Sequence, residues 1–149
     1  MEVVIRELNE NDYPAILSLW NNELGNNHVT NNNIAPHYDR VKNDKLFKTY
    51  VALFENIVVG FISSAQTYAV GFDGRYMQII AMAVKTECQN KKIGTKLIRQ
   101  MENYAKEMGC YSIGLCSGFK RTAAHAFYER NGYEKGSYAF TKMINAKYK

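Results

Sequence analysis

The 149-residue chain has no apolar run approaching the roughly 20 residues that a bilayer span requires. Its start, Met1-Glu2-Val3-Val4, lacks the basic and apolar blocks of a secretion signal, so a cytoplasmic location with no membrane partner is expected. Cysteine is scarce: Cys88, Cys110 and Cys116 are odd in number and lack ligand spacing. That argues against a disulfide framework and a zinc site, and free thiols and no metal are expected. The basic residues are scattered, with only short pairs such as Lys91-Lys92 and Lys120-Arg121, and without a basic block nucleic acid is not an expected partner. Glycine-rich nucleotide signatures are missing too. Gly94-Thr95-Lys96 has the wrong order for a P-loop, and no run carries the three ordered glycines of a dinucleotide fingerprint.

What is present suits one globular domain, residues 1–149. Apolar residues make up 46% and charged residues 22%, an ordinary balance for a folded chain. The net charge of +5 suits an anionic partner, without choosing among nucleic acid, an acidic membrane surface and a phosphorylated small molecule.

Periodicity predicts a first strand around Val3 and Ile5, then a helix capped by Asp12 with Pro14 in its first turn and Ile16, Leu17, Trp20 and Leu24 on one face. The asparagine-rich stretch 25–48 holds at most a marginal second helix, and reads equally as a substrate lid or a solvated loop. Tyr50–Phe54 and Val58–Ser64 form a hairpin about Glu55-Asn56, with a bulge possible at Gly60. Arg75–Val84 reads as a central strand whose apolar end Ile79–Val84 is buried on both faces, Ile93–Met108 as an amphipathic helix, and Tyr111–Cys116 as a buried strand. Thr122–Arg130 then reads as a short helix ended by Asn131-Gly132, and Tyr138–Ile144 as a last strand. The result is an α/β domain with a mixed sheet and a right-handed parallel crossover between residues 75 and 116.

A helix beginning at the end of a central strand offers unpaired N–H groups and the positive end of its dipole. Gln89, Asn90, Lys91 and Lys92 add donors and charge there, so a diphosphate is the natural occupant.

Gln89-Asn90-Lys91-Lys92-Ile93-Gly94 resembles the Gln/Arg-x-x-Gly-x-Gly/Ala turn of the GCN5-related N-acetyltransferases, and Phe127-Tyr128-Glu129-Arg130-Asn131-Gly132-Tyr133 is similar to that family's Phe-Tyr-x-x-x-Gly-Phe/Tyr helix end. Ser117-Gly118-Phe119 and Phe140-Thr141-Lys142 look like one bacterial branch. Lys92 departs from the pattern at its first glycine, which a negative φ would accommodate.

The resemblance implies a mostly antiparallel sheet with one parallel pair, and acetyl-CoA as cosubstrate. The cofactor would be held by main chain at Met82, Ala83 and Val84, by the turn Gln89, Asn90, Lys91, Lys92, Ile93, Gly94 and Thr95, and by Ser117 and His125. A primary amine of a small molecule or peptide would attack the thioester directly, its oxyanion stabilised by N–H groups of the fourth strand. Tyr128 would protonate the departing thiolate. Ordinary pKa values of about 10 and about 8.5 make that transfer uphill by only about 2 kcal/mol. His125 reads equally as a capping or packing residue, and Cys116 as a small buried hydrophobe.

Many members carry a glutamate base where this chain has Ile80. Either the acceptor amine has a low pKa, or Glu23, His37 or His125 replaces that base. The rival readings are a CoA-binding sensor or interaction module without turnover and a small basic nucleic-acid binder; a homodimer is also compatible with the resemblance.

Overall fold

In the computed structural model, which describes residues 2–148, the sheet is organised by one hairpin. Strands β2 (Phe47–Phe54) and β3 (Ile57–Ala69) are joined by Glu55 and Asn56 at φ 52° and 63°. Two left-handed residues give the loop the twist that a two-residue hairpin needs. β1 (Val3–Glu7) pairs antiparallel with β2, and β4 (Gly74–Val84) antiparallel with β3. β5 (Cys110–Gly114) then adds in parallel to β4, giving the order β1-β2-β3-β4-β5. The bulge expected at Gly60 is present: Ala52 faces Gly60 and Leu53 faces Val58, leaving Val59 extra. A Cβ at Gly60 would stand 2.9 Å from the Ala83 carbonyl, so this approach of β3 to β4 requires glycine.

The described chain divides into two compact units between Leu115 and Cys116. In the first, α1 (Tyr13–Ser18) and α2 (Ile34–Val41) cover one sheet face, with Ile16, Leu19 and Ile34 packed against Val51, Phe61, Ala81 and Ala83. The longer α3 (Ile93–Glu107) buries Ile93, Leu97, Ile98, Met101, Tyr104 and Ala105, the stripe its 3.6-residue period predicts. No helix among the described residues is long and apolar enough to cross a membrane.

The second unit holds α4 (Thr122–Arg130). Gly132, at φ 90°, donates its N–H to the Glu129 carbonyl, and the Tyr133 N–H reaches back to Tyr128, both at 3.0 Å. That double bond pattern is a Schellman stop, and it explains the Asn-Gly ending by backbone geometry.

Several expectations are corrected. Asp12 stands at the N-cap position of α1 but makes no side-chain cap bond to it; its carboxylate accepts from Asn9 N–H and from Arg6, within the 3-10 turn Glu10–Asp12 that Asn9 caps by accepting from Asn11 N–H. After Ser18 the helix widens into a π turn, Leu19–Glu23. β5 is shorter and less buried than expected, with Tyr111 and Ser112 exposed, and Cys116 lies beyond it, exposed rather than buried. Residues 138–144 form no strand, because strand propensity without a neighbouring edge satisfies no main-chain groups.

Asp12 is buried, and Arg6 binds it through two contacts of 2.7 and 2.9 Å. Burial pushes its carboxyl up, but the bonds from Arg6 and from Asn9 N–H outweigh that and hold it below its ordinary range. A depressed folded-state pKa means that the stabilisation is complete above about pH 4 and is lost as pH falls through the folded value. Asp12→Ala is therefore expected to cost about 2 kcal/mol at neutral pH and to flatten the acid limb of stability, as measured by urea unfolding across that range.

Candidate active site

The defining feature of the first unit is where β4 and β5 part. They pair from Arg75↔Cys110 to Gln78↔Gly114, after which β5 ends and β4 runs on to Val84. Among the described residues, 79–84 keep β3 on one side and have no strand on the other. Their outward N–H and C=O groups form an open edge suited to an extended ligand rich in amides. The edge is bent as well. Ser64 faces Ile79 and Ser63 faces Ala81, so Ile80 is an extra residue in a β-bulge. Ile80 is 53% exposed, which corrects the expectation that this end of the strand is buried on both faces. Ala83 is buried, while Met82 and Val84 are half-buried.

From Val84 the chain passes through a 3-10 turn, Thr86–Cys88, into α3. Cys88 is buried and anchors this turn, and the Gln89 side-chain amide donates to the Val84 carbonyl at 3.2 Å, closing the end of β4. Asn90 and Lys92 are both left-handed, at φ 66° and 63°. The expected negative φ at Lys92 is thus overturned: lysine takes the conformation for which the family pattern supplies glycine, at a strain of about 1 kcal/mol. Buried Cys88 before the turn and buried Ile93 after it fix the path the chain takes between β4 and α3, and that path sets the backbone at Lys92. The first main-chain bond into α3 runs from Lys96 N–H to Lys92 at 3.1 Å, which leaves Ile93, Gly94 and Thr95 N–H ahead of the helical ladder. Ile93 is buried and pins the helix start. The Lys91 ammonium lies 5.1 Å from the centre of the Phe54 ring, and the Lys92 side chain is exposed.

Among the proposed replacement bases, Glu23 is engaged structurally. Its carboxylate accepts from the Thr86 N–H at 3.2 Å and from the Thr86 hydroxyl at 2.8 Å. It also lines a cleft of about 350 Å³ with Ser18, Asn22, Lys85 and Glu87. His37 is exposed on α2.

The second unit carries the other expected residues. Tyr128 packs edge-to-face on Tyr133, ring centres 6.1 Å apart, so the Schellman stop fixes the ring as well as the backbone. Burial pushes its phenol above the ordinary value, with partial relief from the Arg121 charge, and keeps it protonated at neutral pH. No hydrogen bond to its hydroxyl is found among the described residues. The Ser117 hydroxyl is buried without a partner among the described residues, an arrangement that a ligand acceptor or donor would satisfy. His125 bonds the Gly118 carbonyl through Nε2 at 2.8 Å, so that nitrogen carries the proton and the ring ties the loop to α4.

Sequence reasoning missed a hydroxyl chain under α2. Thr49 meets Ser63 at 2.7 Å, Ser63 meets Tyr38 at 3.3 Å, and Tyr38 accepts from Trp20 at 3.0 Å. Its one readable signal is Ser63-Ser64 directly after the apolar run that opens β3. Among the described residues no group of three or more His, Cys, Asp or Glu is placed to hold a metal ion.

The sequence pattern of the acetyltransferase (GNAT) family matches residues 6–133. The chain belongs to the GNAT acetyltransferase family. An aminoalkylphosphonate N-acetyltransferase of Salmonella typhimurium (strain LT2) is 31% identical over 94 residues, which cover 63% of this chain and 61% of that protein. The chain thus spans about three fifths of the length of that relative. Two solved structures share the GNAT fold. A transcriptional regulator from Bacillus halodurans C-125 has a TM-score of 0.88 at 21% identity, over 96% of this chain and 100% of that one. The glucosamine-6-phosphate N-acetyltransferase of Arabidopsis thaliana has a TM-score of 0.84 at 19% identity, over 97% and 100%.

The strained Lys92 of this GNAT domain gives a direct test. Lys92→Gly is expected to raise stability by about 0.5–1 kcal/mol in thermal or urea unfolding, because glycine takes a positive φ without the Cβ clash.

Proposed function

We propose that this protein transfers an acetyl group from acetyl-CoA to a primary amine. The observation that carries the reading is the continuity of the open β4 edge, residues 79–84, with the left-handed turn at the start of α3. An amide-rich arm ending in a diphosphate has the chemistry of that surface. When bound, acetyl-CoA supplies an activated acetyl thioester. Main chain at Met82, Ala83 and Val84 holds the arm, and N–H groups across Gln89, Asn90, Lys91, Lys92, Ile93, Gly94 and Thr95 hold the diphosphate. Ser117 contributes its unpartnered hydroxyl, and His125 positions the loop that carries it. Tyr128 gives the proton on its hydroxyl to the departing sulfur. A raised pKa makes that donor uniformly loaded at neutral pH, at the cost of a somewhat steeper transfer.

The acceptor amine arrives without a carboxylate at the bulge, where Ile80 offers only hydrocarbon. An amine of low pKa meets this condition best: an α-amino group of pKa about 8 is partly free at neutral pH, whereas an alkylammonium of pKa about 10.4 is free at about one part in a thousand. The relatives named for an aminoalkylphosphonate and for glucosamine-6-phosphate act, by those names, on amines that also carry a phosphorus oxyanion. A net charge of +5 favours such acceptors here.

Release of CoA thiol, measured across amines with and without a phosphonate or phosphate, tests the reading. Turnover should follow the free-base fraction of the best acceptor as pH rises, and Tyr128→Phe should lower kcat by roughly 10²–10⁴ with little change in cofactor affinity. Tight CoA binding with no thiol release for any amine would make the protein a CoA-binding sensor instead. A kcat that Tyr128→Phe leaves unchanged would return Tyr128 to a packing role.

A further inference from the structure

The proposed chemistry leaves the Glu23 carboxylate without a part. Both its oxygens are taken by one residue: Oε1 accepts from the Thr86 N–H at 3.2 Å and Oε2 from the Thr86 hydroxyl at 2.8 Å. Thr86 opens the 3-10 turn that carries the chain from β4 towards α3, and Glu23 closes the π turn that follows α1, 63 residues away in sequence. Thr86 is exposed and Glu23 half-buried, so the contact lies at the surface, outside the core formed by Ile16, Leu19 and Phe61.

The π turn gives this contact a firm base. Leu24 N–H bonds the Leu19 carbonyl at 3.2 Å and Asn26 N–H the Trp20 carbonyl at 2.9 Å. The Asn21 side chain donates to the carbonyls of Asn26 and Val29 at 2.8 and 2.9 Å, and Leu19 is fully buried. On the other side, Lys85 N–H bonds the Val59 carbonyl, Cys88 N–H returns to Lys85, and Gln89 N–H returns to Thr86. The Thr86 N–H is the donor that Glu23 takes. Immediately beyond lie Asn90 and Lys92 at φ 66° and 63°, a conformation that persists only where the flanking chain is held.

Charge sharpens the point. A carboxylate seated on Thr86, three residues before Gln89, opposes an incoming phosphate, and any gain it brings to an anion site must come through geometry. We propose that Glu23 is a positioning residue for the cofactor: by clamping Thr86 it holds the following turn, residues 89–95, in the shape that receives the diphosphate. The inference rests on the acetyl-CoA reading above.

Calorimetric titration with acetyl-CoA and with acetyl-pantetheine, which lacks the diphosphate, tests it together with steady-state thiol release. Glu23→Ala should weaken acetyl-CoA by about tenfold or more and leave acetyl-pantetheine within about twofold. It should raise KM for acetyl-CoA and keep kcat at saturation within about twofold. Thr86→Val, which exchanges the hydroxyl for a methyl, should show part of the same loss, and Thr86→Ser should restore it. Glu87→Gln removes a neighbouring charge without touching the clamp and should bind acetyl-CoA at least as tightly as the wild type.

A Glu23→Ala variant that matches Glu87→Gln in affinity would reduce Glu23 to a surface charge and overturn the proposal. So would equal losses for both thioesters, which mark a loosened fold, or a fall in kcat at unchanged cofactor affinity, which marks a base. The Thr86 pair decides the matter if Glu23→Ala does not fold. A wild type that binds no acetyl-CoA would overturn the transferase reading and this inference together, whereas normal binding with an unaltered preference in every variant overturns this inference alone.

Discussion

The site depends on β4 losing its neighbour half-way along. Up to Gln78 the strand is held on both sides; beyond it, main-chain donors and acceptors face outward with only β3 behind them. Unpaired backbone is costly to bury and useful to expose to a ligand that carries its own amides. The bulge at Ile80 turns the free stretch, Gly60 lets β3 approach the Ala83 carbonyl closely, and the Gln89 side chain closes the end at Val84. Each is a local irregularity in an otherwise regular sheet.

The second constraint is the turn that follows. A non-glycine residue at φ 63° persists only where its surroundings determine it, and here buried Cys88 on one side and buried Ile93 on the other hold the chain on course. The strain at Lys92 is thus carried by the packing of α3 against the sheet. In the second unit the same economy appears at Gly132, where one left-handed residue ends α4 and sets Tyr133 against Tyr128.

Much of this was readable beforehand. The α3 stripe, the Glu55-Asn56 hairpin, the parallel crossover and the Asn131-Gly132 stop depend on short-range pattern, and each appears where the pattern puts it. What pattern did not reveal depends on distant partners. Lysine at position 92 suited the pattern on condition of a negative φ, and the structure holds it at φ 63° between buried Cys88 and buried Ile93. Asp12 was expected to cap the helix that follows it, and its carboxylate turns back instead to Arg6 on β1 and to the Asn9 N–H. Residues 138–144 have the composition of a strand, and composition says nothing of whether an edge is at hand. The residues of the candidate site were nameable from the two motifs, whereas the bulge that exposes Ile80 follows from register and leaves no mark in composition.

The central claim is that the β4 edge and the α3 turn together bind acetyl-CoA, the turn by its diphosphate. Calorimetric titration compares acetyl-CoA with an acetyl-pantetheine lacking the diphosphate, in the wild type and in Gly94→Glu. The account predicts that acetyl-CoA binds at least about a hundredfold more tightly than the truncated thioester and that Gly94→Glu removes this advantage, because a carboxylate then occupies the mouth of an anion site. Equal affinity for the two thioesters, or an unchanged preference in the variant, would contradict it.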